Sequence, residues 1–274
     1  IISVLLASTA TAATFRGDEE FTLREDVADD LYAAGGQVTL AGNVDGDVLA
    51  AGGEVLLEGI VTEDAMLAGG RIEVSGAVQD DLRVAGGEVR IEGAIADDLF
   101  AAGGRVVLDN AATVGGDATV SGGDVLIESD VQGNLKVAAG RVTVRGTITG
   151  TLHVEADELT IDGVVQGPST IVAKKISLGE RAAFQQDVAY WRMNGPMSFS
   201  AALSDAQATF MPQYARHHHV PKHTAKIGMI VGLGTLLASV PFAAVAILIF
   251  PALSRKFFQD ATKKLRKQFW PHVL

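Results

Sequence analysis

Apolar residues recur along this chain in a block of 17 that repeats in tandem. Cut before the residue that opens each block, the repeats begin at Asp30, Asp47, Asp64, Asp81, Asp98, Asp117, Asn134, Thr151 and Pro168. Successive starts lie 17 apart, except that Asn110–Thr113 holds two extra residues and stretches one interval to 19. The ninth place of each block is Val38, Val55, Ile72, Val89, Val106, Val125, Val142, Leu159 and Ile176. The eleventh is Leu40, Leu57, Val74, Ile91, Leu108, Ile127, Val144, Ile161 and Leu178. The residue between them varies (Thr39, Leu56, Glu73, Arg90), which is the in–out–in alternation of a strand with one buried face. A second apolar pair opens each block, as in Leu82 and Val84, and a third column runs from Val44 through Val61, Val78 and Ile95 to Val165. Each block therefore predicts three short β segments that feed small branched side chains into one interior.

Glycine pairs separate the first and second segments (Gly35-Gly36, Gly52-Gly53, Gly69-Gly70), and single glycines separate the second and third (Gly42, Gly59, Gly76, Gly93). Glycine admits positive φ without steric cost, so these positions are predicted as corners. The expected fold is all-β: a right-handed parallel β-helix of about nine 17-residue coils. At the usual strand spacing of about 4.8 Å, nine coils span roughly 43 Å. Helical and leucine-rich repeats are excluded because no block holds a 3.6-residue period. A left-handed hexapeptide coil needs multiples of six, against the 2-5-2-4 spacing found here.

The glycine-punctuated coil, with Gly46-Asp47-Val48, the run Gly52–Gly59 (GGEVLLEG) and Val131-Gln132-Gly133-Asn134-Leu135, resembles the bactofilins, a family of polymer-forming cytoskeletal proteins. The likeness covers roughly Asp18 to Phe184. It implies a right-handed β-helical domain that polymerises without nucleotide and scaffolds cell-shape and envelope enzymes at membranes. The C-terminal part looks like the membrane-anchored, exported variants of that family.

Charge divides the chain. Residues 1–190 hold 31 acidic and 12 basic side chains, a net of −19; residues 191–274 hold 2 and 10, a net of +8. An acidic front argues against nucleic acid as a partner, because phosphate binding needs clustered Lys and Arg. With no cysteine, thiolate metal sites, disulfides and cysteine nucleophiles are excluded. Residues 1–13 carry an apolar run and the small-x-small pattern Ala10-Thr11-Ala12, and are expected to be a signal peptide with a truncated start. The β-helix is assigned to residues 14–190 and a linker to 191–226. Residues 227–254 contain no charge over 28 positions, more than the roughly 20 needed to cross a bilayer. Six basic residues follow between Arg255 and Lys267, so the positive-inside rule puts 255–274 in the cytoplasm and the β-helix on the exported face, with further chain expected beyond Leu274.

No catalytic residue or cofactor is expected, since regular coils leave no long inserted loops to build a cleft. His153 sits between inward Leu152 and Val154 and is read as a solvated outward residue. His217-His218-His219 with His223 is read as a basic linker tract in preference to a metal site. The acidic column Asp30, Asp47, Asp64, Asp81, Asp98 and Asp117 has two readings: calcium held between stacked carboxylates, or Asp side chains capping corner N–H groups. Capping fits better, because Asn134 and Thr151 replace Asp in the same column as capping residues do. An open β-helix also exposes unpaired backbone at both ends. Larger side chains appear where the repeat fades, and Phe21, Leu23, Phe184 and Trp191 are expected as polymer contacts. The expected function is a membrane-anchored scaffold that joins end to end with copies of itself. The alternative is a monomeric surface module that binds an envelope protein or polysaccharide.

Overall fold

The computed structural model describes residues 14–218; the expected signal peptide and the uncharged stretch 227–254 lie outside the described residues. More than half of the described chain is strand, and there is no α-helix among the described residues. The first coils carry β1 (Thr14–Leu23), β2 (Leu31–Leu40), β3 (Val48–Leu57), β4 (Ala65–Val74) and β5 (Leu82–Ile91). From there long and short strands alternate: β6 (Ala94–Ile95), β7 (Leu99–Leu108), β8 (Thr113–Val114), β9 (Ala118–Ile127), β10 (Asp130–Val131) and β11 (Leu135–Val144). The series continues with β12 (Thr147–Ile148), β13 (Leu152–Ile161), β14 (Val164–Val165), β15 (Ser169–Leu178) and β16 (Ala183–Phe184). It closes with β17 (Val188–Trp191), β18 (Ala208–Phe210) and a 3-10 turn at Pro212–His218.

The long strands form one twelve-stranded parallel sheet in the order β1-β2-β3-β4-β5-β7-β9-β11-β13-β15-β17-β18, and the short ones a six-stranded sheet from β6 to β16. This is a parallel β-solenoid of about eleven turns. Register follows the repeat: Leu31 pairs with Val48, Val48 with Ala65, and so on through the stack. The third apolar column begins earlier as single bridges, Val27 to Val44 to Val61 to Val78 to Ile95.

Four features differ from the sequence expectation. The stack exceeds nine coils, because β1 pairs with β2 in the same 17-residue register (Thr14 with Leu31, Phe21 with Val38), and β17 and β18 extend it at the other end. Phe21 and Leu23 thus take the ninth and eleventh places of an extra coil, where aromatic bulk and the flanking acids hid the period. A second 19-residue coil lies between Ser169 and Val188. Each coil also has two β segments, not three. The first and second merge into one ten-residue strand, since the glycine pair stays hydrogen-bonded in register from coil to coil (Gly35 with Gly52, Gly52 with Gly69).

The fourth difference concerns the corner glycines. Among the described glycines only Gly46 and Gly195 have positive φ. The column Gly42, Gly59, Gly76, Gly93 is there for proximity: a Cβ on Gly93 would collide with the carbonyl oxygen of Gly76, and one on Gly59 with that of Gly42. Coils touch backbone to backbone at this corner, and only hydrogen fits between them. Ser129 occupies the same column directly above the coil enlarged at Asn110–Thr113, where the corner below is wider.

The interior is the expected one. Val38, Val55, Ile72, Val89, Val106, Val125 and Val142 are fully buried, as are Leu40, Leu57, Val74 and Ile91 in the neighbouring column. Stacked β-branched side chains suit this interior, because a pleated surface with identical neighbours above and below packs them in one rotamer.

Candidate functional site

The acidic column is a hydrogen-bond ladder running along the solenoid. The Asp47 N–H donates to Oδ1 of Asp30 (3.1 Å), Asp64 N–H to Asp47 (3.0 Å), Asp81 N–H to Asp64 (3.2 Å) and Asp98 N–H to Asp81 (3.0 Å). Asp117 N–H donates to Asp98 (2.7 Å), Asn134 N–H to Asp117 (2.7 Å) and Thr151 N–H to Asn134 (2.9 Å). The capping reading therefore holds in its chemistry and changes in its geometry. Each carboxylate caps the N–H of the next coil, where a cap on its own corner was expected. The ladder stops at Pro168, which has no N–H to offer, and reappears when Gln207 N–H donates to Asp187 (2.9 Å). A shorter ladder follows a second corner: Asn43 N–H to Asp26 (2.8 Å), Ile60 N–H to Asn43 (3.0 Å) and Thr147 N–H to Asp130 (2.7 Å). Its sequence signal was Asp or Asn at the fourteenth place of several blocks.

Stacked carboxylates repel, and the fold offsets this locally. Arg83 reaches Asp64 (2.7 Å) and Asp81 (2.6 Å) at once. Burial works against its charge, but the hydrogen bonds and charges of Asp64 and Asp81 outweigh it and hold the guanidinium above its ordinary pKa. Asp64, Asp80 and Asp81 bring carboxylate oxygens within 4.8 Å of one another, a spacing that suits a divalent cation. In this structure Arg83 already occupies Oδ2 of Asp64 and of Asp81, so a resident side chain supplies the cation. Asp97 lacks such a partner: the adjacent Asp98 first, then burial, Asp81, Asp80 and Asp117, raise its carboxyl above the usual range. Asp162 is shifted the other way, lowered chiefly by hydrogen bonds from the Arg181 side chain and backbone N–H.

The two ends of the described stack differ. At the first coil Phe21 is 9% exposed and Leu23 is half-buried, and β1 is the terminal strand of the long sheet. At the other end Phe184 is fully buried, which corrects its expected place on an exposed end. It continues the third apolar column, pairing with Val165, and is roofed by residues that follow β17. Phe199 meets its ring edge-on at 5.8 Å, Tyr190 lies 4.7 Å from Phe199, and Phe210 lies 5.6 Å from Tyr190. The Tyr190 hydroxyl donates to the Met197 carbonyl and accepts the Met197 N–H, each at 2.9 Å. Residues from Trp191 to Phe210, expected as linker, therefore fold back as a cap. Trp191 is half-buried beside Val172 in β17. The signal for this cap was the aromatic run Phe184, Tyr190, Phe199, Phe210 after repeats whose only aromatics are Tyr32 and Phe100.

His153 points outward, half-buried, with Nε2 3.4 Å from Glu155 Oε1. A shallow open depression lined by Arg145, Thr160, Asp162 and Arg181 lies at the second enlarged coil. Among the described residues no helix is long and apolar enough to cross a membrane, and the stretch 227–254 falls outside them. Comparison of the chain with family models, with curated proteins and with solved structures returned no match.

Proposed function

We propose that this chain is a non-enzymatic structural scaffold: a right-handed β-helical rod, exported and anchored by residues 227–254, that joins end to end with copies of itself in a bactofilin-like way at the cell envelope. The observation that carries this reading is the commitment of the conspicuous polar side chains to the stack. Each column Asp accepts an N–H of the coil above, so the groups that could have formed a reactive cluster stiffen the rod. Regular coils with insertions of only two or three residues support a strut, and the 2-5-2-4 apolar spacing supports the right hand. The acidic surface supports a partner other than nucleic acid.

The covered C-terminal end, where Phe199 and Tyr190 roof Phe184, supports a reading in which the first coil supplies the end-to-end contact, through Phe21 and Leu23. The same cap favours the second reading, a monomeric binding module for an envelope protein or polysaccharide. Negative-stain electron microscopy and sedimentation of the full chain in detergent, over a concentration series, separate the two. Filaments or linear oligomers that shorten in Phe21→Asp support the scaffold. Uniform single rods at every concentration move the function to the binding module.

A further inference from the structure

The place that follows the glycine pair, or the residues that stand for it in the last coils, carries a pattern that the repeat alone does not require. From β3 to β15 it reads Glu54, Arg71, Glu88, Arg105, Asp124, Arg141, Glu158, Lys175, with the sign of charge reversing at every coil. These residues are direct cross-strand neighbours throughout: Glu54 with Arg71, Arg71 with Glu88, Glu88 with Arg105, Arg105 with Asp124. The series continues Asp124 with Arg141, Arg141 with Glu158 and Glu158 with Lys175. Below Glu54 stands the neutral Gln37, with Glu20 one coil beyond it, so the uninterrupted alternating run is eight charges long.

This column is a ridge available to solvent. It lies where the long strand bends, and the side chains of Arg71, Glu88, Asp124, Arg141 and Glu158 are 50% to 63% exposed. Its internal ion pairs are long, 3.8 Å for Arg71–Glu88 and 3.5 Å for Arg141 with both Asp124 and Glu158. Arg83 in the acidic column, by contrast, closes on its acids at 2.6 and 2.7 Å. The guanidinium donors of the ridge therefore keep capacity for further acceptors. Beside the first six residues of the ridge runs a strip without side chains, where a Cβ on Gly53, Gly70, Gly87, Gly104, Gly123 or Gly140 would meet only the glycine backbone of the preceding coil; beside Glu158 and Lys175 the ion pair of Asp157 and Lys174 takes its place.

Alternation of any length neutralises charge within one chain. An even number of alternating charges does more, because the series read backwards is its own complement. We propose that this ridge docks a second copy of the chain, the two solenoids lying side by side and antiparallel about a two-fold axis between the coils of Arg105 and Asp124. In that arrangement Glu54 faces the partner's Lys175, Arg71 the partner's Glu158, Glu88 the partner's Arg141 and Arg105 the partner's Asp124, and each pair recurs by symmetry. A parallel arrangement in register sets like against like. Shifted by one coil it regains complementarity but loses a pair and leaves an open-ended contact, whereas the two-fold contact closes. Charge also selects this corner. The chain is acidic overall, the Asp ladder sits on another corner, and the ridge has four charges of each sign. It is where two acidic rods approach with least repulsion, since beyond about 8 Å at physiological salt the remaining charge is largely screened. The proposal is independent of end-to-end assembly, which uses the first coil.

The test is a zero-length carbodiimide crosslink of the full chain in detergent, mapped by mass spectrometry. Within one chain Lys175 and Glu54 are seven coil spacings apart, about 34 Å, so an amide between them forms only between antiparallel copies. A dimer band carrying the Lys175–Glu54 crosslink is expected. Lys175 joined to Glu158 alone, within a chain or between chains in a mixed isotope experiment, overturns the proposal. Charge swaps read by sedimentation add a second arm. Lys175→Glu turns the two outermost pairs repulsive and should weaken the dimer on the order of tenfold. The double variant Glu54→Lys/Lys175→Glu restores those pairs between chains while setting like charges beside Arg71 and Glu158 within each chain. Recovery of the dimer supports the two-fold ridge; a double variant no tighter than the single overturns it.

Discussion

Replacing Asp98 isolates what the acidic column contributes. Its Oδ1 accepts the Asp117 N–H at 2.7 Å, a bond that spans the enlarged coil at Asn110–Thr113. Asp98→Ala removes the acceptor, which in comparable side-chain caps costs about 1 kcal/mol. Because Asp98 is exposed, water takes up part of the loss, and relief of its repulsion with Asp97 offsets a further part. The net expectation is a loss of roughly 0.5 to 1 kcal/mol, a shift of about 2–4 °C per kcal/mol for a unit of this size. Asp98→Asn keeps an acceptor oxygen and drops the charge. The column contains its own precedent, since Asn134 Oδ1 accepts the Thr151 N–H at 2.9 Å. The Asn variant should therefore match or exceed the parent. Urea titrations of parent, Asp98→Ala and Asp98→Asn, followed by circular dichroism and by tryptophan fluorescence, give the ordering. An Asn variant as unstable as the Ala variant would refute the ladder as the source of the effect. Loss of stability of the parent on adding a chelator would return the column to calcium.

Val89 is fully buried between Ile72 and Val106, so Val89→Asp should cost several kcal/mol, on the order of an unpaired buried carboxylate, seen as a collapse of the melting transition. Ser169 stands in an inward column that elsewhere holds Leu, Val and Ala, and its buried hydroxyl has no hydrogen-bond partner; Ser169→Ala should leave stability unchanged or raise it by up to about 1 kcal/mol in urea titration. Asp97→Asn should raise the melting temperature at pH 7. The folded-state pKa of Asp97 is raised, so its ionised form is the one the fold disfavours, and the advantage of Asn should vanish as pH falls below the ordinary carboxylate value of about 4. Asp162 has the opposite sign: its stabilising contribution is present above that value and is lost as pH falls through its lowered pKa, so Arg181→Ala should flatten that part of the acid profile.

How much of this was legible in the sequence depends on whether a feature repeats. The buried columns were read residue by residue, because burial of a branched side chain every 17 positions leaves a periodic trace, and Val38 to Ile176 lie where that trace puts them. The acidic column was legible as a column, and Asn134 and Thr151 pointed to hydrogen bonding. Its direction was not, since a carboxylate that caps its own corner and one that caps the next coil leave the same letters. The corner glycines were misassigned for a similar reason: glycine marks both positive φ and close backbone approach, and only coordinates separate the two. Features that break the period were missed. Phe21 is an aromatic in a valine column, and the cap from Phe199 to Phe210 folds by aromatic contacts that have no spacing rule.

Each corner of the coil solves the same problem, how one turn recognises the next, by a different device. One corner uses Asp side chains on N–H groups, one uses alternating charge, and one uses glycine contact. Stability in such a stack is a sum over nearest neighbours, so a lapse at one corner falls on the others in that same coil pair. Pro168 creates such a lapse by ending the Asp ladder, although its carbonyl still accepts the Leu152 N–H at 3.0 Å. Ion pairs gather there: Lys174 closes on Asp157 within the β13–β15 seam. Between the same two coils, where the second enlarged turn begins, Arg181 donates to Asp162 from its backbone N–H, Nε and Nη2. The coil pair without an Asp rung thus carries two cross-coil ion pairs, and the ladder resumes one coil later at Asp187. Cross-coil ion pairs also bridge seams whose rung is intact, Arg90 with Asp109 and Arg145 with Glu128, so side-chain charge links coils both with and without a rung of the ladder.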